Sequence, residues 1–293
     1  MREGTVKANG LEFAYLEQGS GPLVLLLHGF PDNAYTWEYQ MPVLAEAGYR
    51  AVAPYLRGYP PSEIPEGGFY DAVTLATDAR ELIRELNGGE PAFYVGSDWG
   101  TLIGFTLMQL YPEVVRRAVV MAVPLPQAAA GILTMPELLH HTFHVWFHQM
   151  PHIPEAAIAA NDFAYVDYLW RFWEPGHEDP EHIARVKRTL AGEGALSAAL
   201  GYYRATFGQA PSDPALESMR GRLGGTIGVP TMAIFGKDDP LAAFAENHAA
   251  FFIGEFRLEL PEGGQHFIHR SRPDVINELV LSWLGREGES VSA

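Results

Sequence analysis

Five short stretches of the chain are apolar almost without interruption: Leu23-Val24-Leu25-Leu26-Leu27, Arg50-Ala51-Val52-Ala53, Ala92-Phe93-Tyr94-Val95, Ala118-Val119-Val120-Met121-Ala122 and Thr231-Met232-Ala233-Ile234-Phe235. Such runs predict strands buried on both faces of a largely parallel sheet. A sixth, Phe256-Arg257-Leu258-Glu259-Leu260, alternates and predicts a more exposed strand. Between them, helical patterns lie over Trp37 to Ala47, Thr74 to Leu86, Leu102 to Tyr111 and Pro273 to Leu284. Strands alternating with helices of that length imply βαβ units and a mostly parallel, doubly wound α/β sheet. From about Pro126 to Glu217 the alternation fails. That stretch is aromatic-rich, punctuated by Pro and Gly, and holds no strand-like run. It predicts a helical cap over 126–217, inserted between core segments 1–125 and 218–293.

Each loop after a predicted strand carries polar residues: His28, Asp98, Asp239 and His266. In open α/β sheets ligands bind outside the carboxyl ends of the strands, where these dispersed positions can converge. The most specific of these loops is Val95-Gly96-Ser97-Asp98-Trp99-Gly100-Thr101. A sharp strand-to-helix elbow strains its apex residue and demands small residues two positions to either side. Gly96 and Gly100 meet that demand around Asp98. With Ser97 at the apex, Val95 and the bulky Trp99 would flank it. The spacing therefore points to a carboxylate nucleophile, suited to opening a strained or polarised carbon through an alkyl-enzyme ester. The plainer alternative is a Gly-bounded turn in which Asp98 caps a helix.

Phe235-Gly236-Lys237-Asp238-Asp239-Pro240 and Gly263-Gly264-Gln265-His266-Phe267 follow the last two strands. The order nucleophile, acid, histidine is that of the α/β-hydrolase fold. In that order His266 would activate a water to cleave the ester, and Asp239 would orient and stabilise its imidazole. Asp238 is the fallback acid and His269 a rival base, although His269 sits where the final helices begin. His28-Gly29-Phe30-Pro31 follows the first buried strand. There the Phe30 N–H, with that of Trp99, would form an oxyanion hole for the tetrahedral intermediate.

Composition narrows the partners. With 36 acidic against 20 basic residues, the net charge of −16 disfavours nucleic acid and anionic membrane surfaces. There is no cysteine, so disulfides, thiol nucleophiles and thiolate metal sites are absent. No window sustains about eighteen apolar residues, and residues 1–21 lack the basic head and apolar core of a signal peptide. A soluble, cytoplasmic protein is expected, with a homodimer left open. His140, His144, His148 and His152 recur every four residues, but interspersed Phe143, Val145, Trp146 and Phe147 favour an amphipathic helix over a metal site. Gly221-Arg222-Leu223-Gly224-Gly225 lacks the Lys-Ser/Thr ending of a phosphate loop and reads as a linker.

From about Gly10 to Leu284 the sequence resembles the epoxide hydrolases of the α/β-hydrolase fold. The likeness rests on His28-Gly29-Phe30-Pro31 with Trp37, Arg57-Gly58-Tyr59, Asp98-Trp99-Gly100 and Gly264-Gln265-His266-Phe267. It implies hydrolysis of a small apolar epoxide to a vicinal diol, without cofactor or metal, through an ester on Asp98. It also implies two cap tyrosines that hydrogen-bond the epoxide oxygen. Tyr203, in Tyr202-Tyr203-Arg204, fits one of them. Tyr168, shortly before Glu174-Pro175-Gly176, fits the other, with Tyr165 and Tyr202 as the alternatives if the alignment slips. Phe30, Trp99, Tyr168 and Tyr203 would then touch substrate. Pro60 and Ser97 depart from the glycine and histidine more frequent in that family. A haloalkane or haloacid dehalogenase of the same fold is the nearest rival, because the Trp99 indole could hold a halide. The Phe30 position, however, carries no polar halide donor. A non-catalytic ligand-binding homologue is a more distant reading, and a serine-type esterase more distant still.

Overall fold

The computed structural model describes residues 1–129 and 131–285. Eight strands form one sheet: β1 (Arg2–Ala8), β2 (Leu11–Gly19), β3 (Leu23–Leu27), β4 (Arg50–Pro54), β5 (Ala92–Ser97), β6 (Val115–Met121), β7 (Thr231–Ile234) and β8 (Phe256–Glu259). Their spatial order is β1-β2-β4-β3-β5-β6-β7-β8, antiparallel from β1 through β4 and parallel from β4 onward. The expected mostly parallel α/β sheet is therefore present. All five side chains of β3 and all six residues of β5 are buried, because helices cover both faces of the sheet centre. β8, at the edge, is only half-buried throughout.

Two strands escape the search for apolar runs. β1 and β2 form an antiparallel ribbon at the other edge, where Gly4, Glu12 and Glu17 interrupt any apolar stretch. Ribbons with one solvated face are built from mixed sequence of this kind.

The helices are α1 (Gln40–Glu46), α2 (Ala72–Leu86), α3 (Trp99–Leu110), α4 (Pro136–His141), α5 (Phe143–Phe147), α6 (Ile153–Trp173), α7 (Pro180–Leu190), α8 (Ala195–Thr206), α9 (Glu217–Arg220), α10 (Ile268–Ser271) and α11 (Pro273–Leu284). Asp71 starts α2 by accepting the Thr74 N–H, the usual way an Asp satisfies an orphan donor at a helix start. Between Met121 and Thr231 the described residues form helices and turns but no strand. The proposed boundaries 126 and 217 fall inside that stretch, and positions 286–293 of the second core segment lie outside the described residues. α6 is broken at 160–163, where Ala160 is extended and Asn161, Asp162 and Phe163 take positive φ. The run of histidines is also divided, since α4 ends at His141 and α5 begins only at Phe143.

The helical insertion is tied to the core by buried polar contacts. The Arg270 guanidinium joins Asp179 at 2.6 Å and Glu38 at 2.7 Å. His182 meets Asp32 at 2.7 Å, and the Trp170 indole donates to the Pro31 carbonyl at 3.3 Å.

The β5–α3 elbow packs so closely that its glycines admit no side chain. A Cβ on Gly100 would overlap the Leu27 carbonyl oxygen, and one on Gly96 would overlap the backbone of Gly100. Neither obstacle is a flexible side chain. Gly100→Ala should therefore cost about 2 kcal/mol or more by forcing the strand and helix apart. A lowered urea midpoint with an unchanged denaturant slope would register it.

Candidate active site

Asp98 stands at the apex of that elbow with φ 53° and ψ −117°, a conformation L-residues rarely hold. The turn aims its carboxylate at the His28-Gly29-Phe30 loop. The Phe30 N–H donates to Asp98 Oδ1 at 2.7 Å. Gly29 is needed for this approach, since a Cβ there would overlap the Asp98 carboxylate. The other oxygen, Oδ2, faces His266 Nε2 at 3.6 Å. His28 is not part of the cavity. Its ring is fully buried and stitches two loops, with Nδ1 against the Gly29 carbonyl and Nε2 accepting the Leu56 N–H.

His266 is 4% exposed. Burial disfavours its charged form, but the nearby Asp98 carboxylate, with Asp239 and Glu174, outweighs burial and raises the imidazole above its ordinary value. Asp239 is buried and Asp238 exposed, so only Asp239 belongs to this interior. Asp239 Oδ1 accepts the Leu241 N–H at 2.8 Å, while Oδ2 has no hydrogen-bond partner. Burial pushes the Asp239 carboxyl up to about 6 against the pull of His266. The two groups are coupled by charge. His269 lies elsewhere, its Nε2 bound to the Thr36 hydroxyl at 2.7 Å in a buried network with Asp32.

A cavity of about 370 Å³ opens over these groups. Asp98, Trp99 and His266 form part of its floor, and Leu102, Val123, Pro124, Ile132, Val145 and Leu241 give it apolar walls. Trp146 and Phe207, 36% and 43% exposed, line the cavity and also reach solvent, with ring centroids 5.3 Å apart. They mark its mouth.

Tyr203 lines the cavity, is 4% exposed and has no hydrogen-bond partner for its hydroxyl among the described residues. Its ring packs edge-on against Trp99 at 5.0 Å and Phe30 at 5.7 Å. Burial pushes its phenol well above the ordinary value, so it remains a proton donor at neutral pH. Tyr202 is buried, and its hydroxyl is committed to the Arg57 carbonyl at 2.8 Å.

Tyr168 is not brought to the cavity. It is 41% exposed and stacks on Phe172 at 5.6 Å, nearly coplanar. After the break in α6 the inward positions are Val166, Leu169, Trp170 and Trp173, a spacing of three and four that leaves position 168 on the outer face. Tyr165 is also outside the lining, its hydroxyl 3.2 Å from His148 Nε2.

Beside Tyr203 stands His144, one of the histidines that recur every four residues, for which an amphipathic helix face was the expectation. His144 lines the cavity with its ring 5.4 Å from that of Tyr203, and its buried Nδ1 has no partner. Burial first, then His148, lowers its imidazole well below the ordinary value, so the ring is neutral at pH 7. In the tautomer with hydrogen on Nδ1 it can donate to a bound oxygen. The four-residue histidine spacing was the available signal, but it also fits an aromatic helix face.

A sheet of this order, with a sharp elbow between the central strand β5 and α3, defines an α/β hydrolase. The chain belongs to the alpha/beta hydrolase fold family, whose model matches residues 22–273. It is 31% identical over 291 residues to AB hydrolase superfamily protein YfhM of Bacillus subtilis (strain 168), covering 95% of this chain and 96% of that protein. It is 30% identical over 297 residues to epoxide hydrolase 3 of Xenopus tropicalis, covering 95% of this chain and 76% of the relative. The crystal structure of epoxide hydrolase A from Mycobacterium thermoresistibile superposes with a TM-score of 0.78 at 26% identity, over 97% of this chain and 98% of that one. The chain is thus an epoxide hydrolase-like α/β hydrolase. Among the described residues no helix is long and apolar enough to cross a membrane.

Proposed function

We propose that this protein hydrolyses a small apolar epoxide to a vicinal diol through an ester on Asp98. The observation that carries the reading is that Tyr203 and His144, whose buried Oη and Nδ1 have no partner among the described residues, line the same cavity as Asp98 and His266. Unpaired buried polar atoms are costly, and an incoming epoxide oxygen would satisfy both.

In the proposed sequence Asp98 Oδ2 attacks an oxirane carbon and the carbon–oxygen bond breaks. The departing alkoxide is met by Tyr203 and His144, one of which gives up a proton. Next, His266 takes a proton from a water that attacks Cγ of the ester, while the Phe30 N–H, already on Oδ1, stabilises the oxyanion. The tetrahedral intermediate collapses with its remaining hydroxyl proton passing to the departing alkoxide oxygen, so that the diol leaves and Asp98 is a carboxylate again, and the proton held by His266 restores the donor. Residues 126–217 serve as the cap that keeps this chemistry dry, and the Trp99 ring bounds the substrate, whereas the Phe30 ring, fully buried and outside the cavity lining, does not touch it and Phe30 contributes its backbone N–H. No cofactor or metal enters any step.

The test is product analysis with matched lipophilic epoxides and haloalkanes. Diol without halide release is expected. Tyr203→Phe should lower the rate of ester formation by about 10²- to 10⁴-fold, whereas Tyr168→Phe should leave it unchanged. Halide release without diol would replace this reading with the dehalogenase one.

A further inference from the structure

Three consecutive backbone N–H groups around His266 are all received by the end of one helix in the insertion. Gln265 N–H donates to Glu174 Oε1 at 2.9 Å, His266 N–H to the Trp173 carbonyl at 3.2 Å, and Phe267 N–H to Glu174 Oε2 at 2.8 Å. Aromatic contacts reinforce the grip. Trp170 stacks flat on Phe267 with centroids 3.8 Å apart, and the Trp173 ring lies 5.1 Å from that of His266.

Glu174 terminates α6 and is 3% exposed. Burying a carboxylate is unfavourable unless hydrogen bonds compensate. Two N–H groups from the loop offset part of that cost, and charge assistance makes such bonds stronger than those to a neutral oxygen, although burial still holds the Glu174 carboxyl above its ordinary value. The loop needs them in return. Its chain reverses through Gly263 at φ 78°, and α10 begins only at Ile268, so the N–H groups of residues 265–267 lie ahead of the helix and take their acceptors from the end of α6.

We infer that Glu174 is a positioning residue, which from the cap fixes the loop presenting His266 and sets a negative charge beside its ring. This rests on the reading of His266 as the base that activates water. Asp98, Asp239 and Glu174 all favour the charged form of His266. Burial opposes it, as does proximity to His141, His144 and His269. Glu174 differs from the two aspartates in where it is anchored. Asp98 and Asp239 follow core strands, whereas Glu174 arrives from the insertion, so the seating of the cap and the aim of the base are one mechanical unit.

The experiment compares Glu174→Gln and Glu174→Asp with the wild type by two readouts: NMR titration of the His266 ring, and the separate rates of Asp98 ester formation and hydrolysis. Glu174→Gln keeps the shape but loses the charge and one acceptor. It should lower the titration midpoint of His266 and slow ester hydrolysis by about tenfold or more, leaving ester formation within about twofold. Glu174→Asp keeps the charge but is one methylene too short to hold both N–H groups, so it should slow hydrolysis while preserving more of the titration. If the glutamine variant does not fold, the aspartate variant carries the test through the hydrolysis rate. A folded variant with wild-type titration and wild-type hydrolysis overturns the inference. A wild-type enzyme that forms no ester with any epoxide would sink the proposed function instead, and the NMR arm would still decide the role of Glu174.

Discussion

Asp98→Ala should lose turnover by on the order of 10⁴-fold or more, the scale seen when a nucleophile is removed from a set of groups acting together. The expected loss is large because nothing else on the cavity floor can replace this atom. Ser97, the adjacent alternative, is the buried last residue of β5 and is not among the residues that line the cavity. Ser97→Ala should accordingly retain activity. The variant should also fold well, because the elbow depends on Gly96, Gly100 and Gly29 rather than on the Asp98 carboxylate. Alanine at position 98 gives up the Phe30 N–H bond to the carboxylate while keeping the backbone of the turn. The measurement is initial diol formation under saturating epoxide. Retained turnover in Asp98→Ala, or its loss in Ser97→Ala, would refute the assignment of the nucleophile.

His266→Gln should divide the reaction in two. Ester formation does not need His266, so Asp98 should still be alkylated, but hydrolysis should slow by about 10²- to 10⁴-fold without a general base. The ester then accumulates, and intact-protein mass spectrometry should find the chain heavier by the full mass of the epoxide. That value is diagnostic. Opening a ring expels nothing, whereas alkylation by a haloalkane would add the substrate less the elements of the hydrogen halide. The electrostatics favour the imidazole at the proposed second step. Against burial, the adjacent Asp98 carboxylate is the largest influence raising His266. Alkylation abolishes that negative charge, so the ring loses its strongest reason to stay protonated at the stage that requires a free base. Failure to trap any adduct, with activity lost, would count against the ester route.

Much of this was legible in the chain because buried strands and sharp turns constrain composition severely. An apolar run such as Leu23–Leu27 has few other uses, and the glycine pair around Asp98 answers a steric demand that the Leu27 carbonyl makes explicit. β1 and β2 were less visible because a ribbon on the sheet edge needs only a weak alternation. The tyrosines show where pattern reading stops. Tyr203 lies in an unbroken helix whose neighbours are nearly all buried, so its surroundings agree with its motif. Tyr168 lies beyond a break at 160–163 that resets which face points inward, and no proline or glycine announces that break. His144 and Glu174 were in plain view but carried no motif of their own. Their importance arises from what they touch across the chain, Tyr203 in one case and the Gln265–Phe267 backbone in the other.

The ties that fasten the insertion bear on molecular traffic. With Arg270 bonded to both Asp179 and Glu38, His182 against Asp32, and Trp170 on Pro31, hinged lifting of the whole lid would break several buried polar contacts together. Passage through the mouth requires only that Trp146 and Phe207 turn aside, and exposed side chains reorient in picoseconds to nanoseconds. Reactants and products would then exchange through a standing doorway, and the clock of each cycle would be kept by bond making and breaking at Asp98.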